Sequence, residues 1–416
     1  MNLQILKYEL KKIFYRKSSI ISLILLAACL VLMLFFSISD ITYTDKNGND
    51  IKGIQAIKPI KSAKMEWSGY LTIEKIRKVL KENESINSDS KYSGMKDDNI
   101  KLSNMQYSRK QGFEDIRDLI NYSYEKPNSY DYNAIDKLNP KVADTFYLNR
   151  ISQLKNFLSS SKASNLTKNE KEYLLTSEKT LTTPLKYSYA DGFHKVFEEN
   201  ISVNFALSFV ICILIAPVFS IEYQTGSDSI LLSTEHGKKK GIIYKLIAGF
   251  LSTSIVYWIF SALVYGFIFT IFGFNGWDCP IQTYMDGWKS FYHITNLQAL
   301  CMVLLLGYLG CLFISALAMF LSSKVKSSFS TIIFLVLFIF IPSTVGKQMF
   351  KGSVWDKLLN LFPHQMLLGW PLITSYTFYD VGKVLTPFKM LPVLYGILAI
   401  ILLPLTYRSF KKHQVA

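Results

Sequence analysis

The stretch Ser18–Ser39, SSIISLILLAACLVLMLFFSIS, contains no Asp, Glu, Lys, Arg or His. As a helix rising about 1.5 Å per residue it spans roughly 30 Å, the thickness of a bilayer's hydrocarbon core. It therefore reads as a membrane-spanning helix. Five further apolar runs share its lack of ionisable residues: Ile201–Ile221, Leu246–Phe272, Leu297–Leu321, Phe329–Val345 and Met390–Tyr407. The fold class expected is an all-α membrane protein with six transmembrane helices, N- and C-termini inside. A large, mostly helical extracellular domain, residues 40–200, separates spans one and two.

Residues 1–17 precede the first span. Lys7, Lys11, Lys12, Arg16 and Lys17 stand there against Glu9 alone. Leu3, Leu6, Leu10, Ile13 and Phe14 recur at three- and four-residue steps, which places them on one helical face. The segment is predicted to be a cytoplasmic amphipathic helix lying at the membrane interface. A basic start followed by an apolar run also describes a signal peptide, and Leu26-Ala27-Ala28-Cys29 resembles a lipoprotein cleavage box. The residues after Cys29 are as apolar as those before it, which favours a retained span.

Charge is segregated along the chain. Residues Asp40–Glu199 hold 23 of the 31 acidic and 26 of the 46 basic residues, so this domain is nearly balanced despite the net charge of +15. The basic excess sits beside the apolar runs. That is the positive-inside pattern, not the solvated basic stripe that nucleic acid requires, so no nucleic-acid partner is expected. With the N-terminus inside, residues 222–245, the short turn Ser322–Ser328 and the tail 408–416 face the cytoplasm, and their lysines and arginines satisfy the bias.

Within residues 40–200, helical periodicity marks Leu71–Leu80, Phe113–Ile120 and Val142–Leu158, while Ile51–Ile60 alternates like a strand. No His/Cys/carboxylate cluster occurs there. Residues 246–407 hold spans three to six. Within them an apolar, aromatic stretch near 354–376, including Trp355, Trp370, Pro371 and Tyr376, is too interrupted to span and is expected as short helices in or dipping into the outer leaflet.

The spans carry no ionisable group for an ion-driven cycle, and a Walker-type phosphate loop is missing from the chain. Any uphill transport must draw its energy from another polypeptide. Catalysis has little support: the five histidines are scattered, and only His194, four residues before Glu198, invites an acid–base or metal reading. Four of five cysteines lie in apolar runs, so no disulfide framework is proposed.

The segment after the second span reads Ser220-Ile221-Glu222-Tyr223-Gln224-Thr225-Gly226-Ser227-Asp228-Ser229-Ile230-Leu231-Leu232-Ser233-Thr234-Glu235-His236-Gly237-Lys238. It is an acidic turn, a Gly, a short stretch with a Leu pair and a basic end. An exposed Leu pair on a charged loop points to a protein partner or the lipid interface.

This segment resembles the coupling loop of type-2 ABC-transporter permeases, where an acidic residue, a Gly, a Leu-rich turn and a basic end dock into a cytosolic ATPase. The basic interfacial helix, six spans and apolar helices before the last span fit the same family, and Tyr189-Ala190-Asp191-Gly192-Phe193 is similar to the aromatic-Gly entry of Gram-positive members. Glu235-His236-Gly237-Lys238 differs from the Pro or Ser before Arg common there. The resemblance covers the membrane half and not residues 40–200. It implies an ATP-driven exporter permease in the bacterial plasma membrane, similar to lantibiotic-immunity and peptide-export permeases. The coupling residues it implies are Glu222, Gly226, Leu231, Leu232, Glu235 and Lys238. It implies no cofactor in this chain, ATP and Mg on partner ATPase subunits, a second permease copy or paralogue, the lipid bilayer as surroundings and a peptide-like cargo. A lipid or drug is the alternative cargo. A non-transporting sensor and a membrane-embedded enzyme are the alternative functions.

Overall fold

The computed structural model describes residues 3–89, 100–124, 131–234, 237–346 and 354–412. The chain opens with α1 (Leu3–Phe14), whose Leu6 and Ile13 are buried, followed by the apolar α2 (Lys17–Ser39). The second apolar helix is longer than its hydrophobic run. It starts at Asp191, continues as α9 (Asp191–Ile215) and passes through Ala216 into α10 (Pro217–Thr225). Pro217 has no N–H, so one ladder bond is lost where the two join, and the helix runs on through it. Then come α12 (Ile242–Phe272), α13 (Asn296–Ser322), α14 (Ser328–Ile341) and, last, α18 (Pro387–Lys411). A capping box, Thr295 with Gln298, starts α13.

Among the described residues, five helices are long and apolar enough to cross a membrane: Lys17–Ser39, Asp191–Thr225, Lys239–Phe272, Asn296–Ser322 and Pro387–Lys411. The fifth apolar run of the sequence corresponds to a shorter helix, Ser328–Thr344. Pro342 ends its regular α ladder at Ile341. α13 packs against α9, α12 and α18, and α1 lies against α12.

The domain between α2 and α9 is mainly helical: α3 (Ile54–Met65), α4 (Ile73–Ser88), α5 (Ile100–Lys110), α6 (Glu114–Tyr124), α7 (Phe146–Ser159) and α8 (Lys168–Glu178). Among the described residues, strands are confined to two-stranded ribbons such as β1 (Thr42–Thr44) with β2 (Asp50–Lys52). The alternation read in Ile51–Ile60 is therefore strand only at its start. Gly53, at φ 70°, turns the chain, and α3 then buries Ala56, Ile57 and Lys64 on one face.

This domain is not self-contained. Its core includes Trp288 from the connection between α12 and α13, fully buried beside Phe146 at 4.8 Å between ring centroids. Arg150 of α7 grips Glu178 of α8 through two bonds (2.6 and 3.0 Å), donates to the Ser290 carbonyl at 2.9 Å and lies over Trp288. From the segment before α18, Tyr376 stacks near Phe157, and Asp380 accepts from Thr167 and Asn169. Two further connections of the membrane half thus complete the interspan domain.

Among the described residues between α14 and α18 lie three short helices: α15 (Val354–Leu359), α16 (Gln365–Leu368) and α17 (Trp370–Thr374). The sequence places them at the outer leaflet. In the structure α16 and α17 are inserted against α9 and α13, with Met366, Leu367 and Ile373 fully buried. Asn204 of α9 donates to the Leu367 carbonyl at 3.1 Å, and Trp370 stacks on Phe197 at 4.3 Å. Broken helices are tolerated at such depth because protein groups satisfy their backbone. Gly369 makes the bend between them, at φ 60° and so close to Asn200 that an added Cβ would meet Oδ1 at 2.0 Å.

Candidate functional site

The segment that the sequence marks as the coupling loop begins on α10, at the end of the bundle where α1 lies. Glu222 points into the bundle and is almost fully buried. Its Oε1 accepts from Lys245 of α12 at 2.5 Å and from Lys12 of α1 at 3.1 Å. Lys245 also pairs with Glu9 of α1 at 3.0 Å. Two carboxylates and two ammonium groups therefore alternate across three helices. Buried charges are retained only when paired in this way, since the loss of one partner leaves its neighbours desolvated and unmatched. Burial would lower Lys12, but the carboxylates of Glu9 and Glu222 outweigh it and hold its ammonium above the ordinary value.

α10 is stitched to the turn between α13 and α14. The Phe219 and Ser220 amides donate to the Ser322 hydroxyl at 3.0 and 2.9 Å, Tyr223 donates to the Ser323 carbonyl at 2.8 Å, and Gln224 donates to the Lys326 carbonyl at 2.8 Å. Ser409 of α18 reaches the same Ser323 carbonyl. Five of the helices that make up this end thus meet around α10.

At Gly226 the chain turns. Its φ of 67° and ψ of 8° lie in the left-handed region, closing α10 and starting α11 (Ser227–Ser233) in a new direction. No atom lies within 4 Å of where its Cβ would be, so the requirement for Gly there is conformational and not steric. Leu231, on α11, is half-buried against the main core. The backbones of Leu232 and Lys238 are placed in regular structure, but their side chains lie outside the described residues, as does Glu235 entirely.

The residues assigned from sequence therefore divide. Glu222 is a buried clamp, Gly226 a left-handed turn, and α11 a short helix with Leu231 half-buried against the core. The clamp's other members, Glu9, Lys12 and Lys245, went unmarked in the sequence. The one signal was a lone Glu in a basic helix, an arrangement that suits a buried pairing. The other candidate, His194 with Glu198, is not brought together as a working pair: His194 stacks on Tyr284 at 3.8 Å, and Glu198 accepts from Lys195 at 3.0 Å. Among the described residues no group of three or more His, Cys, Asp or Glu is placed to hold a metal ion.

At its other end α9 is clamped a second time. Lys64 of α3 bonds Asp115 of α6 at 2.8 Å and Asp191, the first residue of α9, at 3.0 Å, and Tyr187 donates to Asp115 at 2.9 Å. Burial would lower Lys64, but the two aspartates hold it well above its ordinary value.

A family profile described as ABC-2 family transporter protein matches residues 3–415, nearly the whole chain. No curated protein and no solved structure matches it.

Proposed function

Because the chain belongs to the ABC-2 transporter family, and is thus the multi-pass plasma-membrane component of an ABC transporter, we propose that it works as an exporter permease driven by separate ATPase subunits. ATP and Mg are held by those subunits. They dock at α10–α11 and the basic residues that follow, which face the cytoplasm. Two copies, or one with a paralogue, enclose the pathway. The cargo is a hydrophobic or amphipathic peptide released beneath the interspan domain, which stands outside the cell.

The observation that carries this reading is the continuity of α9 and α10. At about 1.5 Å per residue, the 35 residues Asp191–Thr225 make a rod of roughly 50 Å. One end is clamped to the interspan domain, and the other stops at the Gly226 hinge. A push on α11 by a closing ATPase dimer is delivered through Glu222 to α1 and α12 together. The same rod carries it to Asp191.

The test is ATPase stimulation. The permease is co-expressed with its ATPase, and Leu231 and Leu232 are both replaced by Asp. A protein that inserts normally but loses ATPase binding and stimulation supports docking at α11. An apolar contact that is central to an interface contributes about 2 kcal/mol. Unchanged stimulation removes the docking assignment. Transport of a labelled amphipathic peptide into inverted vesicles, dependent on ATP, tests the cargo class and direction.

A further inference from the structure

Beside the Glu222 clamp lies a cavity of about 390 Å³, between α1, α10 and the start of α12. Its size falls among sites for small ligands, about 300–1,000 Å³. Six charged side chains line it: Glu9, Lys11, Lys12, Arg16, Glu222 and Lys245. The two glutamates are matched by Lys12 and Lys245. That leaves Lys11 and Arg16 without a carboxylate. Lys11 rests 5.5 Å from the ring of Tyr15. Arg16 donates only to backbone, to the Lys12 carbonyl at 2.9 Å and the Leu214 carbonyl at 3.3 Å, and its Nη1 is buried with no hydrogen-bond partner.

A buried guanidinium nitrogen without an acceptor is costly. Burial lowers the Arg16 guanidinium to about 10, and the nearby carboxylates of Glu222 and Glu9 only partly offset this. The position of the cavity says what would satisfy it. Arg16 is the residue immediately before α2, a helix apolar enough to cross the membrane, so the cavity opens at the depth of lipid headgroups. Tyr8 and Tyr15, both largely exposed, flank it, and amphipathic rings of this kind favour the interface.

We propose that the cavity is a binding site for the phosphate of an anionic phospholipid, gripped by Arg16 and Lys11, with the acyl chains running along α2. Guanidinium and ammonium donors pair with phosphate oxygens more strongly than with neutral acceptors, and basic pockets beside spans collect such headgroups. The headgroup then becomes part of the junction between α1 and α10. The inference requires only that the chain sits in a bilayer and holds whatever cargo the transporter moves.

The experiment uses the full chain in detergent and follows thermal unfolding against short-chain phosphatidylglycerol, short-chain phosphatidylcholine and inorganic phosphate. Phosphatidylglycerol should raise the melting temperature saturably, the other two should not, and added salt should weaken the effect. Lys11→Gln, at an exposed position outside the clamp, should weaken the apparent affinity about tenfold, as loss of one charge-assisted bond does. Arg16→Gln should do so at least as strongly, with Arg16→Lys intermediate. Lys7→Gln, the same charge change on α1 outside the cavity, should leave it unaltered. Equal stabilisation by phosphatidylcholine overturns the proposal, as does an equal response of Lys7→Gln. A shift with inorganic phosphate as large as that with phosphatidylglycerol overturns the lipid assignment in favour of a free anion.

Discussion

Lys64 of α3 donates to both carboxylate oxygens of Asp191, the first residue of α9, at 3.0 Å each. The interspan domain is therefore bolted to the second span by a charge pair and not merely tethered through its two chain ends. At the far end of the same rod Glu222 is held by Lys245 and Lys12. The two clamps hold α9 and α10 at both ends.

Lys64→Met should leave Asp115 and Asp191 facing each other without their shared cation. Thermal unfolding should show a loss of about 2 kcal/mol, and Lys64→Arg should recover most of it. If transport depends on this linkage, Lys64→Met also lowers ATP-driven export more than it lowers ATPase assembly. An unaltered melting temperature would show that the pair is structurally idle.

Trp288→Ala removes a fully buried ring from the core of a domain that ends well before it in the chain. A loss of about 3–5 kcal/mol is expected. Limited proteolysis should then cut within residues 146–178 of the folded membrane protein, where Arg150 and Phe146 have lost their partner.

Asp118 of α6 supplies a pH dependence. Burial, aided by the neighbouring Glu114 charge, pushes its carboxyl from 3.8 up to about 7. A raised carboxyl stabilises the fold while protonated. Its contribution is complete below about pH 4 and is lost as the pH climbs through about 7. Burial raises Glu114 in the same sense. Burial would also raise Asp115, but Lys64 outweighs it and holds it low, so it acts oppositely. The melting temperature of Asp118→Asn minus that of the wild type should therefore increase from pH 5 to pH 8. A constant difference would place the Asp118 carboxyl at its ordinary value.

Gly226→Ala forces a side chain into left-handed backbone geometry without any steric clash. The local cost is about 1 kcal/mol. Gly226→Asn, which tolerates that geometry, should cost less. The expected signature is reduced ATPase stimulation with almost unchanged melting, in the order Gly, Asn, Ala. An equal drop for both variants would indicate a packing role instead.

Much of the membrane half was legible in the sequence. An uncharged run of about 20 residues has one stable outcome in lipid, because its backbone must bond to itself. Periodicity also found α4, α6 and α7, whose buried faces repeat at helical spacing. Gly226 stood out because the segment around it resembles the coupling loop of type-2 ABC permeases. The short run before Pro342 and the segment near 354–376 were harder to read, since apolar composition does not tell a span from a broken helix buried among spans.

By itself, the sequence determined long apolar helices separated by a charged interspan domain, a basic N-terminal helix and a Gly in the segment after the second span. These are local properties: hydropathy, period and backbone permission. Only the tertiary structure decided that Glu222 faces Lys245 and Lys12, that Arg16 reaches the Leu214 carbonyl, that Asn204 holds the Leu367 carbonyl, and that Trp288 completes the interspan core. Each joins residues far apart in the chain. Pairing of that kind depends on which faces the packed helices turn to one another, and no window along the chain contains both partners.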